Sequence, residues 1–477
     1  MSEAGDRDAA LRLRRSLGTL DLVLMSVAAI ISFRWLSIAA QIGPSSLTLW
    51  VLGMLTFFVP SALTVLELSS RLPGEGGIYI WCRAAFGDLH AFVVGWCYWV
   101  GNLVFFPSLL LFIAGVLLYV RGGSSLALAD SPLYNAAVCL GALWFATLLN
   151  VMGLDRAKWL QNVGGIATWL AGAIIFGGGA LAWHELGSAT SFSHAALLPD
   201  FTSLPTLASF AAMALAYVGL ELGPILGGEI RNPRATIARA VLIACLVVPV
   251  LYVAGTAALL VALPAAEINL ISGIPQALTA VGARLGMPAF GALTAALVAL
   301  SQVGTLGAWV AGTARLPFLF GLDRYLPRRV GALHPRFGSP YMALLVQGAI
   351  TTLILLAALS GSAIHEAFLV LIDMSIILGF LPLIYMFAAL PLLRRRAGGI
   401  PAAGSPLPRG AWACWLAAAS GIAVTLLGAV AAMIPPTHSA NPALIALKVV
   451  GGSMVLIGIG LAFFFRDRWV PKRMLAG

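Results

Sequence analysis

The sequence predicts an all-α membrane protein of twelve transmembrane helices, a five-plus-five inverted repeat followed by two C-terminal helices. Three observations carry this. Of 477 residues, 60% are hydrophobic and only 10% charged, more apolar surface than a soluble domain of this size needs. Apolar runs of about 20 residues recur along the whole chain, the length that crosses a hydrocarbon core of about 30 Å. Near the middle of the first and sixth runs sit two ionisable residues, Arg34 and Glu221.

The spans read as 20–41, 47–69, 89–119, 132–150, 160–183 and 206–229, then 239–262, 287–314, 339–360, 367–392, 411–434 and 443–465. Of the 28 Lys and Arg, 24 fall on one side of this arrangement, two on the other and two inside spans. Such a bias places the N- and C-termini in the cytoplasm and accounts for the +10 net charge without nucleic acid. Arg12, Arg14 and Arg15 lead into a run too long for a signal-peptide core, so no cleaved leader is expected.

The organisation that follows is a cytoplasmic segment 1–19, a first repeat 20–183, a second repeat 184–392, a cytoplasmic linker 393–410, a terminal helix pair 411–465 and a cytoplasmic tail 466–477. No polar stretch is long enough for a separate soluble domain. The outer segment 263–286 has room for a short helix over the pore. The five cysteines lack metal-ligand spacing and read as small core residues, with no disulfide framework. There is no Walker loop, no dinucleotide fingerprint and no catalytic histidine arrangement. Neither a cofactor nor an enzymatic activity is therefore expected.

Five spans reverse sidedness, so spans one and six open two units of opposite topology. Each carries a buried charge at mid-membrane, the pattern of a carrier whose site lies at the repeat interface. Around Glu221 the chain reads Tyr217-Val218-Gly219-Leu220-Glu221-Leu222-Gly223-Pro224, and two glycines and a proline weaken the helix at that depth. A carboxylate in hydrocarbon must face protein or water. Arg34 and Glu221 would face one cavity, pairing with each other, with a substrate charge or with a transported proton. The alternative is a structural ion pair that never meets substrate. Asp373, early in span ten, either lines the outer half of the pathway, caps a helix or sits at the membrane interface. Glu67 reads as a partner of Arg71, and Glu229 as a gate or structural residue.

Four stretches resemble the amino acid–polyamine–organocation transporters, among them the bacterial amino acid permeases and antiporters. They are Pro73-Gly74-Glu75-Gly76-Gly77-Ile78-Tyr79 with Arg83 and Phe86-Gly87; Tyr217, Gly219 and Glu221 with Glu229-Ile230-Arg231-Asn232-Pro233; Gly304-Thr305-Leu306-Gly307-Ala308-Trp309; and Asp323-Arg324-Tyr325-Leu326-Pro327 with Gly338-Ser339-Pro340. The resemblance implies a LeuT-like fold, unwound helices one and six, a rocking bundle and an amino acid or amine substrate. Tyr217 would pack over substrate, Glu221 would couple gate and substrate, and Trp309 would narrow the path or simply pack between spans. The family's Gly-Ser-Gly at the first break is replaced by Ala28-Ala29-Ile30, which weakens a backbone site for the carboxylate and leaves Arg34 to replace or supplement it. Where many sodium-independent members carry a lysine in span five, this chain has Thr168, so a coupling proton or sodium ion stays open. The expected function is secondary transport of amino acids across the plasma membrane. A polyamine or organic cation carrier is the rival, and a channel or non-transporting subunit the remaining class.

Overall fold

The computed structural model describes residues 13, 15–121, 126–360, 364–433 and 442–469. Most of the two terminal segments, 1–19 and 466–477, lies outside the described residues. Among the described residues the chain is helical, with one isolated bridge between Leu17 and Ile230.

Among the described residues ten helices are long and apolar enough to cross a membrane: Ser45–Arg71, Asp88–Arg121, Pro132–Val151, Leu154–Leu186, Pro233–Ala262, Phe290–Leu322, Tyr341–Leu359, Val370–Arg396, Trp412–Ala432 and Leu444–Arg466. An eleventh crossing is the pair Thr19–Ile30 and Arg34–Ile42, bent by 41° at its break. Where the sequence places span six, the chain forms only a 12-residue helix, Leu204–Leu215. It then runs irregularly to the short turn Leu222–Ile225. The cause is local: Gly219 has φ +135°, and Gly223 and Pro224 follow. By length alone, Leu204–Leu215 is too short to count as a whole span. The outer segment does form a helix, Gly273–Arg284.

Small residues let the breaks be held from both sides. Gly164 in span five and Gly304 in span eight touch backbone to backbone; a Cβ on either would come within 2.5 Å of the other's Cα. Gly53 in span two meets Ala214 just before the sixth-span break. Such contacts supply dispersion where lipid leaves no hydrophobic drive between helices. Large side chains such as Trp159, Ile166, Leu246 and Val250 are exposed on the outer faces, as a lipid-facing surface requires.

At the arginine-rich end, Glu67 pairs with Arg71 at 2.6 Å and with the fully buried Arg394 at 2.8 Å. Glu67 also accepts from the backbone N–H of Ala402, so the segment after Arg396 folds back and is clamped to span two. Asp323 accepts from the Tyr79 hydroxyl at 2.6 Å and from Arg83 at 3.1 Å, tying the loop after span eight to the helix Ile78–Phe86.

Candidate functional site

The first break frees the last carbonyls of Thr19–Ile30, which have no partner within the helix. Those of Ala28, Ala29 and Ile30, and that of Ile31 in the break, each find a side chain. Thr305 donates to Ala28 O at 2.8 Å, the Trp309 indole to Ala29 O at 3.0 Å, the Tyr252 hydroxyl to Ile30 O at 2.7 Å and Gln302 to Ile31 O at 3.5 Å. Gln302, Thr305 and Trp309 are three and four residues apart, one face of span eight. The break is thus built by a polar stripe, without the glycines the resemblance led one to expect.

Beside it lies a cavity of about 120 Å³, well above the ~10–15 Å³ that one water needs. Ala29, Ile30, Arg34 and Trp309 line it, together with Tyr98, Asn102, Phe105, Ala216 and Ser375. Arg34 is 3% exposed. Its Nη1 donates to Ser108 Oγ at 3.0 Å, while its Nε has no hydrogen-bond partner. The guanidinium carbon lies 4.6 Å from the Phe105 ring centroid and 5.1 Å from that of Trp35, two cation–π contacts.

Arg34 and Glu221 make no ion pair with each other. Glu221 accepts from the Tyr98 hydroxyl at 3.0 Å and from the Gly219 N–H at 3.1 Å, folding back over the sixth-span break. It borders the cavity only through Tyr98. Gly219 backs Ile30: a Cβ there would come within 3.0 Å of the Ile30 side chain. Ala28 lies behind the wall and contributes its carbonyl to Thr305.

Besides Ala28, Gly219 and Glu221, three further expected positions lie off the cavity. Tyr217 turns away from it, stacking on Phe58, standing edge-on to Trp50 and donating to Trp50 O at 3.2 Å. Thr168 is buried in the seam between spans five and eight, its hydroxyl 2.6 Å from Ser301 Oγ. Asp373 does not line the cavity, whereas Ser375, two residues on, does.

Sequence reasoning missed Tyr252, Gln302 and Thr305. For span eight the signal was present: an amide, a hydroxyl and an indole at 302, 305 and 309 on one face of an apolar helix. Tyr252 had no such signal.

The sequence pattern of the family described as "Amino acid permease" matches residues 17–459. The chain belongs to this amino acid permease family. Its members and the chain's relatives are transporters, not enzymes, and its many apolar spans make it a multi-pass membrane protein. An uncharacterised transporter of Legionella pneumophila is 29% identical over 454 residues, covering 94% of this chain and 97% of the relative. A probable agmatine/putrescine antiporter of Lactococcus lactis is 25% identical, covering 67% of each. Among solved structures, MhsT in complex with L-phenylalanine superposes with a TM-score of 0.64. That match covers 88% of this chain and 99% of MhsT, and at 12% identity it establishes the fold.

Proposed function

We propose that this permease carries amino acids with a free carboxylate across the plasma membrane by alternating access, termini in the cytoplasm. The substrate sits in the cavity between the two breaks, and Arg34 takes its carboxylate. The observation that carries this is the state of Arg34: a buried guanidinium with an unpartnered Nε and, among the described residues, no carboxylate lining its cavity. A buried charge without a counter-ion is costly, and a substrate carboxylate supplies the missing partner in a bidentate geometry. On this reading Trp309 and Tyr98 frame the solute and Glu221, through Tyr98, links its presence to the sixth-span break. Proton or sodium coupling, and exchange against symport, follow from the ion dependence of uptake.

The rival substrate class is a diamine, favoured by the agmatine/putrescine antiporter among the relatives. Among the described residues no acid stands in the cavity wall, which disfavours it, since a dication beside Arg34 meets repulsion there. The test is uptake of labelled serine, glutamate, phenylalanine and putrescine into proteoliposomes, with counterflow to exclude a channel. Saturable amino acid flux is expected, and Arg34→Ala should weaken it by at least about ten-fold while sparing decarboxylated amines. Equal losses for amino acids and their amines would remove Arg34 from the site.

A further inference from the structure

The loop after span eight is folded against the foot of span five. Ser339 donates its hydroxyl to Val151 O at 2.6 Å, where span four ends, and a Cβ on Gly153 would come within 3.3 Å of Phe337 O. Inside the loop the His334 N–H donates to Ser339 O at 2.7 Å. Its ring Nδ1 accepts from the Arg336 and Phe337 N–H groups at 3.2 and 3.3 Å, and the ring packs on Phe337 with centroids 4.6 Å apart. The Phe337 ring is thus held in place from both sides.

Two arginines close on that ring from different elements. The guanidinium carbon of Arg156, in the first turn of span five, lies 5.2 Å from the ring centroid, and that of Arg336 lies 5.5 Å from it. Both arginines are exposed. Among the described residues no carboxylate lies within ion-pair distance of either, although Asp155 is next in sequence. Two like charges gathered on one ring repel each other, and exposed cation–π contacts offset only part of that. The helix Leu154–Leu186 begins here, so the positive end of its dipole adds to the same corner.

From Arg156 a stripe runs into the membrane at steps of three and four residues, one face of the helix. It carries Trp159, Val163 and Ile166, all exposed. A tryptophan directly above the arginine is the arrangement of a membrane–water boundary.

We propose that Arg156 and Arg336, held together on Phe337, bind the phosphate of an anionic phospholipid in the leaflet at the arginine-rich face, its acyl chain lying along the stripe that starts at Trp159. Two planar guanidinium forks suit the oxygens of a phosphate ester. Charge selects the headgroup, and the apolar stripe selects a lipid over a free anion. This goes beyond the substrate assignment and takes from it only the topology that makes this leaflet cytoplasmic.

The test titrates the detergent-purified protein with dioleoylphosphatidylglycerol or dioleoylphosphatidylcholine and counts bound lipid by native mass spectrometry. Phosphatidylglycerol should bind in preference. The double variant Arg156→Gln/Arg336→Gln should weaken its binding on the order of twenty-fold, and Arg336→Gln alone about five-fold, with phosphatidylcholine unchanged. Arg328→Gln/Arg329→Gln removes the same charge from exposed positions in the same loop and should cost less than about two-fold. Equal losses in the two double variants would reduce the site to diffuse attraction and overturn it. Equal binding of the two lipids, or unchanged binding in Arg336→Gln, would do the same. Should the double variant fail to accumulate, Arg336→Gln decides alone. Displacement of the lipid by excess inorganic phosphate would give the corner to a free anion and sink the lipid assignment. None of these outcomes bears on Arg34, whose role is read separately in uptake.

Discussion

Arg315 holds Glu229 through two nitrogens, Nε at 3.0 Å and Nη2 at 2.7 Å from Oε2, with both side chains buried. Glu75 shares the same guanidinium from farther off, its Oε1 3.9 Å from Arg315 Nε. Its Oε2 accepts from the Gly228 N–H at 2.6 Å, and its Oε1 has no hydrogen-bond partner. Two carboxylates thus face one guanidinium at the arginine-rich end of the bundle.

Glu75 lies in the loop after span two, and burial, then the Glu229 charge, pushes its carboxyl up to about 8. In an unfolded chain a glutamate titrates near about 4.3. Between these values the folded protein keeps a proton that the unfolded chain has lost. Stability therefore falls as pH rises through this window, and the fall is complete above about 8. The melting temperature of the detergent-purified protein should drop from pH 5 to pH 8.5. Glu75→Gln keeps the acceptor for Gly228 and removes the charge, so it should flatten that drop and gain most at pH 8.5. Parallel curves for the two proteins would exclude Glu75 as the titrating group.

Removing Arg315 strands both acids. Arg315→Met should cost roughly 3–5 kcal/mol, enough to abolish accumulation of monodisperse protein. Glu75 is protonated below about pH 8, so adding Glu229→Met removes the stranded charge and should restore part of the yield. Size-exclusion chromatography of the tagged proteins reads both, and equal yields for the single and double variants would show that the pair is not what the fold needs.

The loop that carries Glu75 depends on its glycines for a stated reason. Gly77 has φ +42°, and a Cβ there would lie 2.8 Å from Ile225 N. Gly76 N–H donates to Ile225 O at 2.9 Å, so backbone meets backbone. Gly87 also has positive φ, +91°, but open space around it. Gly77→Ala should therefore cost more than Gly87→Ala, which bears only the backbone strain of about 1 kcal/mol. Thermal unfolding of the two variants decides this, and equal losses would mean the contact with Ile225 contributes nothing.

Much of this architecture was legible in the sequence. Hydropathy runs fixed the helices because a lipid-spanning backbone has few alternatives to a helix. Gly219, Gly223 and Pro224 marked the sixth break because they weaken any helix. What could not be read was facing. A break interrupts the 3.6-residue repeat, so the direction of Tyr217 after 215 no longer follows from the helix before it. The separate partners of Arg34 and Glu221 were hidden for the same reason: equal depth in two spans does not imply contact. Tyr252 was invisible because a tyrosine in an apolar span is ordinary until a freed carbonyl is found beside its hydroxyl. The segment 393–410 read as a linker from its Pro, Gly and Arg content. Its clamp onto Glu67 depends on a partner some 330 positions away, which composition cannot show.

Glu221 offers two acceptor oxygens to two donors, Tyr98 O–H and Gly219 N–H. Glu221→Gln keeps one acceptor and turns an NH2 toward the other donor, so one of the two bonds is lost inside a buried site. Initial uptake should fall on the order of ten-fold. Tyr98→Phe breaks one of the same bonds from its other end and should fall by a comparable factor. Because both changes act on a shared contact, the double variant should be little worse than either single one. Uptake rates of the three variants, each corrected for protein in the liposomes, test the link. Wild-type rates in Glu221→Gln, or losses that multiply in the double variant, would uncouple Glu221 from the cavity.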